Sequence, residues 1–454
     1  SIGFPGNTDR FMTSYGVQQV LDLISPTIVR IRDIKLSILK RNMQADSIID
    51  LMYKSKYNII SNYWKYYMGQ IEVMNRLKVM ETKRALENDF TKWINEDIQR
   101  KNEYRNVLLN IQKIISESNQ LRKAVIYYNE AGFNGPEIIS FILKFDSLYN
   151  IMNNNNLPNE LKKSMITDQA TKLKYFASNY FFPSYDIKVD KELFITLFQM
   201  MYNNLLQQYH PDIFTELSKN YTFALFADEL FNNSIFTSKD KLYNFLNNPL
   251  LSTLENDLGF KVTQSLYSKY KEIYKSYYNT TISLNNEERK FLAGIREMLK
   301  NTYIFYPDAN STMRLTYGKI ANYTPIGGLP LTFFTTLDDM IARENPNDPD
   351  FIIDPHLKKL YNQKDFGIYA VDGKLPLCFI SDLDVIGGCS GAPILNGDGE
   401  IIGIVFDINW EATSSQYTFD KEQTRCIATD IRFVLFYLDK YLNAKNIINE
   451  LKIV

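Results

Sequence analysis

Residues 387 to 395 read Gly-Gly-Cys-Ser-Gly-Ala-Pro-Ile-Leu, a run in which one hydroxyl is flanked by residues without side chains. Acyl transfer at a serine needs its Oγ held beside two backbone N–H groups that converge on the developing oxyanion. Ser390 is the candidate nucleophile here, and the N–H groups of Gly388 and Ser390 are the candidate donors. Gly388 and Gly391 carry no Cβ, so the chain can turn sharply on both sides of the serine and admit a substrate carbonyl. A glycine-rich turn between two strands would have the same composition, so the flanks decide. Pro393 is followed by Ile394-Leu395, Asn396-Gly397-Asp398-Gly399 and Glu400-Ile401-Ile402-Gly403-Ile404-Val405-Phe406. That order predicts a strand, an Asn-Gly turn and a second strand rich in β-branched residues. Ser390 then stands at the mouth of a β-hairpin, with Asp407, Ile408, Asn409 and Trp410 just beyond the returning strand.

A serine of this kind needs an imidazole base oriented by a carboxylate, and the chain has only His210 and His356. His210, in Gln207-Gln208-Tyr209-His210-Pro211, reads as a helix end. His356, in Asp354-Pro355-His356-Leu357, reads as the first turn of a short helix. Neither is placed to serve Ser390. The cysteines Cys378, Cys389 and Cys426 are an odd number, so at least one is unpaired within this chain. Cys389 precedes the serine, a position whose side chain points away from the cleft, and reads as a buried structural thiol. Its pairing with Cys378 or Cys426 stays open. No Cys/His cluster has metal-ligand spacing, and no metal or other cofactor is expected.

The elements that must hold these residues follow from glycine and proline usage. Residues 27 to 135 contain no proline, and Val107, Leu108, Ile111, Ile114 and Ile115 recur at helical spacing among Lys, Glu and Gln. From Gly318 onward, glycines crowd and short apolar runs are broken by Gly-Gly, Asn-Pro and Asn-Gly pairs, which suits an antiparallel barrel better than a bundle. A helical pattern runs from about Ile431 to Leu451. The formal net charge is −1, without a lysine or arginine block, which argues against a nucleic-acid footprint. No stretch of about 18 apolar residues would span a bilayer.

Beyond the serine run, a series of segments resembles the bacterial dipeptidyl-peptidase 7 and dipeptidyl-peptidase 11 family. They are Gly3-Phe4-Pro5-Gly6, Ser61-Asn62-Tyr63-Trp64-Lys65, Tyr306-Pro307-Asp308-Ala309-Asn310, Met313-Arg314-Leu315-Thr316-Tyr317-Gly318, Phe406-Asp407-Ile408-Asn409-Trp410-Glu411 and Thr429-Asp430-Ile431-Arg432-Phe433. Family members usually carry Asn where this chain has Cys389, and Gly or Arg where it has Ile408.

The resemblance implies an α+β, multidomain fold: a trypsin-like antiparallel β-barrel, present here as the second barrel only, plus a large inserted α-helical domain. Residues 1–8 would be the tail of the first catalytic barrel, 9–305 the inserted helical cap, and 306–454 the second barrel with nucleophile and C-terminal helix. The implied activity is that of a serine-type dipeptidyl-peptidase, an aminopeptidase releasing dipeptides from oligopeptide N-termini through an acyl-enzyme. Such an enzyme must hold a free α-ammonium at a fixed distance from its serine, which calls for a carboxylate and neutral acceptors. By resemblance these are Asp407 and Asn62. Asp384, six residues before Ser390, has the spacing of trypsin's pocket-floor aspartate. Family members of either preference carry it, so a structural hydrogen-bonding role is expected.

Ile408 would shape the specificity pocket and favour an aliphatic over an acidic residue before the scissile bond. The family's histidine and aspartate lie upstream of Gly-Phe-Pro-Gly, so the chain is expected to be a C-terminal fragment without them, inactive alone. The alternative is a catalytically silent peptide-binding relative on the same scaffold. Oligopeptides are the expected partners, a homodimer is compatible with the resemblance, and the implied location is a bacterial periplasm or cell surface.

Overall fold

The computed structural model of the chain describes residues 1–220 and 222–454. The chain divides into two compact units, one of Ser1–Met12, Glu72–Val79 and Lys300–Val454, the other of Thr13–Ile71 and Met80–Leu299.

The second unit is helical. Its proline-free stretch forms the helices Ser25–Ala45, Ser47–Arg76, Val79–Asn95, Ile98–Tyr104 and Val107–Tyr127, the last turn of Ser47–Arg76 grouping with the other unit. Val107, Ile111 and Ile115 form the buried face that the spacing predicts. The helix Val107–Tyr127 packs along Leu258–Met298, which buries Phe260, Val262, Leu266, Ile273, Phe291 and Ile295. Gly294 belongs to that contact: a Cβ there would lie 2.6 Å from the ring of Phe90, which meets Phe291 edge-on at 5.1 Å. One buried group of charges in the unit is paired. Lys35 donates to the carbonyls of Glu130 and Asn134 and to the Glu130 carboxylate, which also takes a two-pronged contact from Arg32.

The first unit holds the sheets. β1 (Ile2–Gly3) pairs antiparallel with β2 (Arg314–Leu315). The strands β3 (Phe334–Thr336), β4 (Pro376–Ser381), β5 (Pro393–Leu395), β6 (Ile401–Ile408) and β7 (Cys426–Asp430) form an antiparallel sheet in the order β3-β4-β7-β6-β5. Phe379, Val385, Cys389, Ile394, Val405 and Ala428 share its core. Gly403 is required there, because a Cβ would sit 2.5 Å from the Phe379 ring. The C-terminal apolar run forms Ile431–Phe436 and a π turn Tyr437–Tyr441, then breaks at Asn443, whose φ of 52° ends the helix before Lys445–Glu450. The chain is thus a large helical domain plus an antiparallel sheet domain. Among the described residues no helix is long and apolar enough to cross a membrane.

One buried acid gives the helical unit a pH dependence. Asp190 is fully buried and accepts from the N–H groups of Glu137 and Ile138, which open the helix Glu137–Leu143. Burial, reinforced by the Glu137 carboxylate, pushes its pKa up to about 8 from 3.8. The folded state therefore keeps a proton that the unfolded state has lost, and stability falls as pH rises between these values. Asp190→Asn is expected to remove this contribution. From about pH 5 to about pH 8, its urea-unfolding free energy should fall less steeply than the parent's, by up to ~1.4 kcal/mol per pH unit. Parallel curves for the two proteins would contradict the assignment.

Candidate active site

The turn before β5 alternates in exposure. Gly388 and Ser390 face solvent while Cys389 between them is buried in the sheet core. This alternation follows from two glycines in the left-handed region, Gly388 at φ +101° and Gly391 at φ +86°. Hydrogen bonds from Cys389 N to Ile386 O, Gly391 N to Val405 O, and Ala392 N to Cys389 O fix the turn. The N–H groups of Gly388 and Ser390, and the Ser390 hydroxyl, have no partner among the described residues. The Asn396-Gly397-Asp398-Gly399 turn and the antiparallel β5–β6 pair stand where the pattern places them.

The far end of the chain braces this turn. Gly6 N donates to Gly387 O at 2.8 Å, and a Cβ on Gly388 would come 2.5 Å from Phe4 O and 3.0 Å from Gly6 N. Thr8 and Arg10 continue the contact: the Thr8 hydroxyl and Arg10 N both donate to the Asp308 carboxylate. The Arg10 guanidinium grips Asp384 with its two terminal nitrogens, Nη2 to Oδ1 at 2.7 Å and Nη1 to Oδ2. It also donates to Ser415 O from Nε and NH2, and to the Tyr306 hydroxyl. Asp384 is therefore an ion-pair partner inside the protein.

On β6 the strand runs two residues past Phe406, because Asp407 pairs with Ile427 and Ile408 with Cys426 across a bulge at Phe406. Asp407 is exposed and its Oδ1 accepts from Ile408 N at 2.8 Å. Ile408 is half-buried and packs against the sheet core. Beyond it, Asn409 exchanges bonds with the backbone of Arg425, and its amide nitrogen donates to Gln423 O and to the buried Glu411, each at 2.8 Å. Glu411 holds Arg76 at 3.1 Å, and Trp410 Nε1 donates to Glu72 at 3.0 Å. Asn62 is exposed on the helix Ser47–Arg76, in its helical-unit part.

The imidazoles are engaged elsewhere. His210 lies between Tyr202 and Phe214 with Nε2 3.1 Å from Leu205 O, and His356 packs against Tyr441 on a helix capped by Asp354. The three thiols are unbonded to one another, and burial pushes Cys426 up to about 12 and Cys389 upward. Arg10, Arg76 and Arg425 were not legible as site residues, because Arg10 and Arg76 meet their carboxylates 374 and 335 positions away and no local pattern announces it.

The chain thus combines an exposed serine between two left-handed glycines with a sheet domain and a helical domain. The chain belongs to the peptidase S46 family, whose model matches residues 1–453. It is 32% identical over 467 residues to dipeptidyl-peptidase 7 of Phocaeicola vulgatus, and 30% identical over 465 residues to an Asp/Glu-specific dipeptidyl-peptidase of Flavobacterium psychrophilum. Each alignment covers 100% of this chain and 62% of the relative, so the chain spans a little under two thirds of their length. Among solved structures, Porphyromonas endodontalis DPP11 in complex with the dipeptide Arg-Glu matches at a TM-score of 0.87 and 26% identity, covering 99% of this chain and 63% of that one.

The brace makes a prediction independent of turnover. Gly388→Ala is expected to destabilise the sheet unit by about 2 kcal/mol or more, since it combines a left-handed φ with a backbone clash. Gly397→Ala, with open space around its Cβ, is the control. Equal thermal unfolding of the two variants would show that the Phe4–Gly388 approach is dispensable.

Proposed function

We propose that the protein containing these residues is a serine-type dipeptidyl-peptidase that releases dipeptides from oligopeptide N-termini. The observation that carries this reading is the turn itself: an exposed Ser390 hydroxyl, with uncommitted N–H groups at Gly388 and Ser390, in a chain aligned along its length with dipeptidyl-peptidases. In this reading Ser390 attacks the carbonyl of the second residue. The Gly388 and Ser390 N–H groups hold the oxyanion, the amine leaves, and water hydrolyses the acyl-enzyme to free the dipeptide.

The Asp407 carboxylate, with Asn62, holds the substrate ammonium. Ile408 lines the wall beside the side chain that precedes the scissile bond. Because His210 and His356 are engaged elsewhere, the general base and its orienting aspartate are assigned to residues outside these 454, in the first of two trypsin-like barrels. Residues 1–8 would close that barrel, 9–305 form the cap, and 306–454 the second barrel. A periplasmic or cell-surface location suits such an enzyme, and its relatives are bacterial. The engaged histidines also keep in view a silent peptide-binding relative, which would bind free peptides without turning them over.

The reading is tested on the whole protein with chromogenic dipeptidyl substrates. Dipeptide release abolished by Ser390→Ala and by acetylation of the substrate N-terminus is expected. Asp407→Ala should lose ~2 kcal/mol or more in kcat/KM, since the ammonium would be desolvated without a partner. Equal cleavage of free and acetylated peptides would point to an endopeptidase, and binding without cleavage to the silent relative.

Specificity is tested at Ile408. An aliphatic wall cannot compensate a buried carboxylate, so Val and Leu in the second position should be cleaved well and Asp and Glu poorly. Ile408→Arg should raise the acidic substrates and Ile408→Gly the larger apolar ones. An acidic preference in the parent would remove Ile408 from the argument.

A further inference from the structure

The pairing of β6 with β7 is carried past the end of the strand by a side chain. Ile408, the last residue of β6, stands opposite Cys426. One residue on, Asn409 N donates to Arg425 O at 3.0 Å and Asn409 Oδ1 accepts from Arg425 N at 2.8 Å, so the carboxamide supplies the next rung. Its Nδ2 donates to Gln423 O and to Glu411 Oε2, each at 2.8 Å, which uses both N–H groups of the amide. Glu411 decides how that amide is turned. A carboxylate only accepts, so it takes the nitrogen end and leaves Oδ1 to Arg425.

Glu411 is 4% exposed, and a carboxylate buried to that extent needs a cation. Arg76 provides it from the last turn of the helix Ser47–Arg76, with Nη2 3.1 Å from Oε1. The end of a helix is a favourable place for a cation. Glu72, one turn earlier, lies 3.9 Å from Arg76 Nη1 and accepts from Trp410 Nε1 at 3.0 Å. Residues 72–79 group with the sheet unit, so the series Arg76, Glu411, Asn409 lies within that unit and ends two residues beyond Asp407. Asp407 itself is exposed; its Oδ1 accepts from Ile408 N, and its Oδ2 has no partner among the described residues.

We infer that Arg76, acting through Glu411 and Asn409, is a positioning residue for the substrate's ammonium group, a role that rests on the dipeptidyl-peptidase reading. Asp407 is held in place only as firmly as the rung at Asn409. Without Arg76 the Glu411 carboxylate is buried without a cation, and it gains by turning toward water. The Asn409 amide then loses the acceptor that orients it, the rung to Arg425 opens, and Asp407 must be ordered again each time an ammonium binds.

The test uses the full-length enzyme, a chromogenic Ala-Leu substrate, and calorimetric binding of the dipeptides Ala-Leu and acetyl-Ala-Leu. Arg76→Met should lower kcat/KM and the affinity for Ala-Leu by about tenfold, and leave the weaker binding of acetyl-Ala-Leu unchanged. Arg76→Met/Glu411→Gln should recover most of the loss, because glutamine accepts from Asn409 with no charge to balance. Arg76→Met/Asp407→Ala should fall no further than Asp407→Ala, because Arg76 acts through that carboxylate. Should Arg76→Met fail to fold, Asn409→Ala carries the test with the same expected loss and the same non-additivity. A parent that prefers Ala-Leu to its acetylated form but cleaves nothing would count against the peptidase reading alone, since the binding series still reads the positioning role. A folded Arg76→Met protein with parental affinity, no recovery with Glu411→Gln, or a loss that multiplies with that of Asp407→Ala would overturn it.

Discussion

The approach of Phe4 O to within 2.5 Å of where a Gly388 Cβ would lie is the contact on which the rest of the sheet unit's site depends. It works because two backbone segments rich in glycine meet there: Gly6 donates to Gly387, Gly388 takes a φ closed to most residues, and Gly3 lies where a Cβ would be 3.1 Å from Ala392. The first residues of the chain are therefore part of the support of the turn at Ser390. Their β1–β2 pairing, and the hydrogen bonds of Ser1 with Thr316, secure the other side of the same segment. Arg10 closes the arrangement by gripping Asp384 on the segment that enters the turn.

β6 is organised by a different device. Its bulge at Phe406 keeps the strand paired to β7 through Ile408, and leaves Asp407 exposed at the end of a rigid element. The chain cannot drift beyond it, because Asn409 satisfies both backbone groups of Arg425 and shares its amide between Gln423 O and Glu411. Glu411 is a buried carboxylate, and Arg76 supplies the cation that such a group requires. The conformation around Asp407 is thus held by charge pairing and hydrogen bonding, since the apolar contribution there is limited to Ile408 and its neighbours in the core.

The helical unit shows the same rule where no chemistry is assigned. Lys35, Glu130 and Arg32 satisfy one another and nearby carbonyls, whereas Asp190 is buried against two N–H donors and a second carboxylate. The first cluster has its cations inside it, within hydrogen-bonding distance of the carboxylate. Asp190 is buried beside the Glu137 carboxylate with N–H dipoles as its partners, and burial is the main reason its proton is held far above the usual carboxylate range.

Local pattern determined much of this protein. Helical periodicity and the absence of proline marked the helices from Ser25 to Tyr127. The Asn-Gly turn between two β-branched runs marked the β5–β6 hairpin, and the paired glycines marked the turn at Ser390, since each depends on residues close in sequence. The family, too, was legible in short segments spread along the chain. Tertiary structure alone decided that Arg10 neutralises Asp384, that Glu411 is held by Arg76, and that β6 runs through Ile408. These depend on groups brought together across hundreds of residues, or on a register shift that hydrogen bonding to β7 selects. A carboxylate in a sequence does not reveal its cation, and a strand does not reveal its bulge, until the fold closes the loop between them.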